Sequence, residues 1–192
     1  MRAAYTSADG TPRRPRTTKR ARTGRGAVVA AVCLVASLAF AGCLPPAGNG
    51  RFSDDSLTTV TPSCRIAGDV APRLRQMLDH AAQFHIPLAP ESKSYAVVDP
   101  PHLTSCYRDY DMQVWWRDYW CFFGACGNAA VPGTSVHGWG RAVDFECAGE
   151  EMTFDSVCYP FVAYFGGTYG FFHPAWAEAG QPNAEAWHWE AS

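Results

Sequence analysis

The 192-residue chain has no CxxC pair, no internal repeat and, beyond residue 26, no cluster of basic side chains. Its apolar run at 27–41 (AVVAAVCLVASLAFA) is only 15 residues long. Each absence removes a class of protein. A run shorter than about 20 residues does not span a bilayer comfortably. Without CxxC pairs, a cysteine zinc knuckle is a poor reading of the cysteines. The formal charge of −2 comes from 16 basic and 18 acidic groups, but eight of the basic ones lie in residues 1–26 beside a single acid, Asp9. Residues 44–192 therefore keep eight basic and seventeen acidic groups, about −9. An acidic domain without a basic patch excludes a nucleic-acid partner.

What is present begins with an export signal. A basic n-region, a short apolar h-region and small residues at its end (Gly42-Cys43) form the pattern of a secretory leader. Nothing amphipathic surrounds the run, so a buried core helix is the weaker reading. The ending FAGC, residues 40–43, resembles a bacterial lipobox, in which lipidated Cys43 becomes the first mature residue; simple cleavage and a retained signal anchor are the alternatives. The expected location is the outer face of the cytoplasmic membrane or the cell wall. Residues 44–62 (LPPAGNGRFSDDSLTTVTP) have little to bury and read as a flexible linker. The folded domain is expected over 63–192.

Six cysteines remain beyond the leader: Cys64, Cys106, Cys121, Cys126, Cys147 and Cys158. An even count in an exported domain reads as disulfides, and Cys121 and Cys126 could close a local loop. Helical spacing of Leu74, Met77, Leu78 and Ala81 predicts a helix after Asp69, its expected N-cap, ending before Pro87. A second helix is expected from Asp109, where Met112, Trp115, Trp116, Tyr119 and Trp120 form an aromatic stripe assigned to the core. A third runs from near Pro160 to Gly166-Gly167. Strand-like runs lie at 94–98, 102–107, 141–146, 169–172 and 186–190. This order predicts an α+β domain with a small antiparallel sheet and flanking helices.

The segment PGTSVHGWGRAVDFE, residues 132–146, concentrates the chemistry. Glycines 138 and 140 let the chain fold back, so His137 before the turn and Asp144 on the following strand can converge. An aspartate within an apolar strand is costly unless paired or metal-bound. Catalytic zinc usually takes three protein ligands and keeps one position for water. The closing segment EAWHWEAS supplies a third candidate, His188, with Glu185 three residues before it. A carboxylate there could take a proton from a metal-activated water and pass it to a leaving amine. Strand alternation puts His188 on the face of Glu190 and Glu185 on the other, so the chain must bend after Glu185.

The string S-x-H-x-x-G-x-A-x-D (Ser135, His137, Gly140, Ala142, Asp144), followed by E-x-W-H-W at 185–189, resembles the zinc D-Ala-D-Ala carboxypeptidases of the VanY type. These share a fold group with D-Ala-D-Ala dipeptidases, phage L-alanyl-D-glutamate endopeptidases and the hedgehog signalling domain. The block SCYRDYDMQ, 105–113, is similar to that family's S-G-Y-R-S-x-x-x-Q. The resemblance implies a single zinc held by His137, Asp144 and His188, with Glu185 as general base and then acid. It implies that Arg108 stabilises the anionic intermediate, and that Ser135 and Gln113 contact the substrate. Cys106, Asp109 and Ala186 depart from the family's usual Gly, Ser and Pro; none removes a ligand or the base.

The implied activity is release of the terminal D-Ala from peptidoglycan stem peptides by a monomer carrying one Zn²⁺. Its rivals are an endopeptidase cutting L-Ala-D-Glu or a cross-bridge, and a non-catalytic, zinc-stabilised binding module. Glu185 argues against the last, because structural zinc needs no base and favours four protein ligands. For the leader, the mass of membrane-extracted protein should show a chain starting at Cys43 with lipid added. A mature N-terminus beyond Cys43, with no lipid, would sink the anchor.

Overall fold

The fold is built around the strand AVDFEC, whose six residues are all buried. Val143 and Phe145, both fully buried, point into the hydrophobic core, while Asp144 sits on the opposite face. In the computed structural model, which describes residues 48–92 and 105–192, this strand is β4 (Ala142–Cys147). The described residues belong to one compact unit, Pro45–Ser192. The other strands are β1 (Leu57–Thr61), β2 (Cys64–Ala67), β3 (Leu88–Pro90), β5 (Glu150–Glu151), β6 (Phe171–Phe172) and β7 (His188–Ala191). The helices are α1 (Ala71–Gln83), α2 (Tyr110–Phe122) and α3 (Cys158–Phe165).

β1 and β2 form an antiparallel hairpin. A second sheet has the order β3-β4-β7-β6, with β5 also pairing β4, and every pairing is antiparallel. The expected α+β architecture with a small antiparallel sheet is the one found. One core joins the elements: Ile66, Leu74, Met77, Phe145, Val162 and Phe171 are all buried within it. Among the described residues, no helix is long and apolar enough to cross a membrane.

Several expectations change in detail. Residues 48–61 are not a linker but part of the fold. Asn49 is 1% exposed, and β1 pairs with β2 from Leu57↔Ala67 to Thr61↔Cys64. Polar strand residues satisfy their backbone through pairing, which composition does not reveal. Val70, not Asp69, caps α1, because the Asp69 carboxylate instead accepts from Arg141 at 2.6 Å. Asp109 does cap α2, accepting from the Met112 amide at 2.7 Å. The aromatic stripe of α2 is not core, however. That helix fully buries only Met112 and Gln113, while Tyr119 is 40% exposed. Helical periodicity says that one face is apolar, not what will cover it. Residues 105–106 form a bend and 107 is irregular, so this stretch is not a strand, while 94–98 and 102–104 lie outside the described residues, as do the leader and its lipobox-like end at 1–43.

The six cysteines form three disulfides: Cys64–Cys106, Cys121–Cys126 and Cys147–Cys158. The first joins residues 42 positions apart and ties β2 to the segment carrying Arg108. Replacing both cysteines by alanine should lower unfolding free energy by about 2–4 kcal/mol, mainly by freeing the unfolded chain. Denaturant titration checks this; an unchanged midpoint would mean that packing alone holds the segment.

Candidate metal centre

β4 and β7 pair with Asp144 directly opposite His188. In an antiparallel pair, opposed side chains project from the same face. His137 arrives from elsewhere, on a 3-10 turn over Val136–Trp139. That turn ends at Gly140 with φ +61°, where a Cβ would come within 2.8 Å of the Ala67 amide nitrogen. Only glycine fits there, and it turns the chain directly into β4.

Three atoms converge. His137 Nε2 lies 3.2 Å from Asp144 Oδ1, His188 Nδ1 lies 3.0 Å from the same oxygen, and the two nitrogens are 3.2 Å apart. Their outer partners decide what they present. His137 Nδ1 lies 2.7 Å from the Cys106 carbonyl oxygen, which can only accept, so Nδ1 carries the hydrogen and Nε2 offers a lone pair. His188 Nε2 donates to Glu190 Oε1 at 3.3 Å, leaving Nδ1 turned inward. Arg108 Nη2 donates to the other oxygen of Asp144 at 3.1 Å.

At this spacing the three atoms need a positive charge among them, either a proton on His188 Nδ1, which then donates to Asp144 Oδ1, or a metal ion in its place. Tetrahedral zinc with bonds of about 2.0–2.1 Å sets its ligand atoms about 3.3 Å apart. The triangle of 3.0–3.2 Å edges fits one face of such a site. His137, Asp144 and His188 could therefore hold one metal ion, each oriented by a further hydrogen bond as metal-binding sites require. Among the described residues, these three form the one cluster of its kind.

The electrostatics agree. Burial opposes charge on Asp144, yet His137 and His188 hold its carboxyl well below the usual carboxylate range. Burial, helped by the Arg108 guanidinium, pushes His137 down to about 4. Burial also works against charge on His188, but the hydrogen bonds that its ring donates to Asp144 and Glu190 raise it to about 9. Burial and the nearby Asp144 raise Glu185 to about 7.

The triad opens into a cleft of about 780 Å³ that Glu185, Arg108 and Ser135 also line. Glu185 is pinned through its backbone. Its amide donates to the Ala177 carbonyl at 2.9 Å, and its carbonyl accepts from the His188 amide at 3.2 Å and from His173 Nε2 at 2.9 Å. The anticipated bend is thus a turn over 186–187, and β7 starts at His188 rather than Ala186. Gln113 does not line this cleft. It is 3% exposed, and its amide group bonds Asn49, the Arg108 carbonyl and the Gly133 amide. Sequence reading did not single out Trp176, whose ring centre is 5.0 Å from that of His188, nor the roles of Glu190, Cys106 and His173. For Glu190 the signal was available, because it shares a strand face with His188.

The topology and layout are those of the VanY-type peptidase fold, shared with LD-carboxypeptidases. Similar solved structures include VanYB in complex with D-Alanine-D-Alanine, with TM-score 0.55 and 22% identity over 77% of this chain and 81% of that one. A variant of the vancomycin resistance D,D-pentapeptidase VanY in complex with Zn(II) matches with TM-score 0.55 and 22% identity over 77% and 82%. The LdcB LD-carboxypeptidase matches with TM-score 0.56 and 21% identity over 74% and 70%. No protein-family model and no curated protein matches the chain.

Metal ligands must shed their protons, so binding releases them. With His188 at about 9 and His137 at about 4, one ligand proton is bound at neutral pH and must leave. Apparent zinc affinity should therefore rise about tenfold per pH unit from pH 6 to 8 and flatten above 9. Competition against a chelator of known pH dependence measures this. An affinity independent of pH would contradict the assignment of His188.

Proposed function

We propose that the chain is a zinc peptidase acting on peptidoglycan stem peptides outside the cytoplasm, releasing the terminal D-Ala as a D-alanyl-D-alanine carboxypeptidase. One observation carries the reading: a partly buried glutamate lines the same cleft as a three-ligand metal triad. A structural ion would take four protein ligands and would need no such carboxylate. The likeness to VanYB and to LdcB supports the substrate class, and the export signal supports the location.

In this reading zinc, held by His137, Asp144 and His188, supplies a Lewis acid that polarises the scissile carbonyl and acidifies water. The protein supplies the proton transfers and the orientation. Glu185, raised to about 7, exchanges protons near neutrality, as a group acting first as base and then as acid must. It would take a proton from the attacking water and deliver it to the departing amine. Its backbone bonds to Ala177, His173 and His188 hold it at the mouth of the turn. Arg108 carries a permanent charge beside the Asp144 carboxylate and would offset the negative charge growing on the carbonyl oxygen. Ser135, 7% exposed at the cleft wall, would bond the substrate backbone. Gln113 is assigned to the framework of the site and not to substrate.

The test is to incubate the purified, zinc-loaded protein with a pentapeptide stem ending in D-Ala-D-Ala and identify products by mass. Loss of one alanine is the expected result, and Glu185→Gln should keep zinc while losing roughly 10²–10⁴-fold in rate. An internal cut would replace the carboxypeptidase reading by an endopeptidase. No cut in any stem peptide, with zinc bound, would leave the binding module.

A further inference from the structure

Two of the three metal-binding side chains, Asp144 and His188, are set by one strand pairing. The third is not. His137 rides on a turn outside the sheet, so its distance from the other two depends on whatever holds residues 133–138. The backbone of that turn is grasped at four points. Gln113 Oε1 accepts from the Gly133 amide at 2.8 Å, and Asn49 Nδ2 donates to the Ser135 carbonyl at 2.8 Å. The Arg108 amide donates to the His137 carbonyl at 3.1 Å, and the Gly50 amide donates to the Gly138 carbonyl at 2.7 Å.

Two of these four holds come from residues 48–50, whose composition is that of a linker. The segment is itself fastened from behind. Asn49 Oδ1 accepts from Gln113 Nε2 at 3.1 Å, and the Gly50 carbonyl accepts from the Tyr110 amide at 2.8 Å, at the start of α2. The fit is tight as well as bonded. A Cβ at Gly138 would stand 2.1 Å from Asn49 Oδ1 and 2.4 Å from Gln113 Nε2. Asn49 is 1% exposed, and its buried amide group bonds the Ser135 carbonyl and Gln113.

We propose that Asn49 is a positioning residue of the metal centre: with Gly50 it straps the turn bearing His137 against α2 and thereby sets the third ligand. The inference rests on the metal reading of His137, Asp144 and His188. It adds that the site is completed by a short segment N-terminal to the hairpin. An intact strap at residues 48–50 is then a condition for tight metal binding, wherever the leader is processed.

The experiment measures zinc affinity, by chelator competition, for the full chain and for its Asn49→Ala and Asn49→Asp variants. Aspartate keeps the acceptor for Gln113 but cannot donate to the Ser135 carbonyl. It retains the shape should alanine fail to fold. Groups that orient a metal ligand typically contribute 10–100-fold in affinity, and a loss in that range is expected for both variants. The visible spectrum of cobalt in the site should change in position or intensity, reporting altered ligand geometry. Leu78→Ala, at a partly buried position on α1 packed against the hydrophobic core, serves as a stability control. It should lower the melting temperature and leave zinc affinity and the cobalt spectrum as in the parent. Asn49 variants that bind zinc within twofold of the parent, with an unchanged cobalt spectrum, would overturn the proposal. So would a Leu78→Ala chain that loses affinity equally, because the effect would then be global stability. A parent chain that binds no zinc would overturn the metal reading itself, and the inference with it.

Discussion

The pairing of β4 with β7 puts Asp144 opposite His188, and the rest of the site is arranged around that pair. Because side chains alternate across a strand, a slip of one residue would turn either group to the other face. The register is held on both sides: Val143 and Trp189 are an opposed pair buried in the core, and they cannot turn outward without exposing it. The hydrophobic face of the two strands thus fixes the polar face. Burial of apolar side chains, which knows nothing of chemistry, sets a carboxylate and an imidazole 3.0 Å apart.

Such an arrangement is costly to build from lone pairs alone, and the surroundings offset the cost group by group. The Cys106 carbonyl fixes which nitrogen of His137 faces inward, Glu190 does so for His188, and Arg108 takes the second oxygen of Asp144. The Cys64–Cys106 disulfide anchors the segment that brings two of these partners, the Cys106 carbonyl and Arg108. The same burial that depresses His137 raises Glu185, so one low-dielectric cleft produces both a neutral imidazole and a carboxyl poised near neutrality.

Much of this was legible beforehand because it is local. The glycine-containing turn between His137 and Asp144, the alternation around Asp144 and the bend after Glu185 all follow from short-range geometry. What misled were places where a pattern names a surface and not its partner. The aromatic face of α2 reads as core, yet Trp116 and Trp120 line the cleft and Tyr119 faces solvent. The segment 44–62 reads as a linker because its residues have little to bury, yet Asn49 and Gly50 are held through hydrogen bonds that carry no hydrophobic signature. Gln113 reads as a substrate contact by its place in a motif, whereas its amide completes the bonding of the turn.

The sequence by itself determined the chemical identities: which histidines have acidic neighbours at useful spacing, which strand carries a buried aspartate, where the chain must turn. Those are properties of φ/ψ freedom and of periodicity, and they act over a few residues. Only the tertiary structure decided how residues some fifty positions apart meet, which imidazole nitrogen faces the third atom, and that Asn49 braces the turn. These depend on register, burial and the geometry of hydrogen bonds between distant segments. A linear chain encodes them only through the packing of all its parts at once.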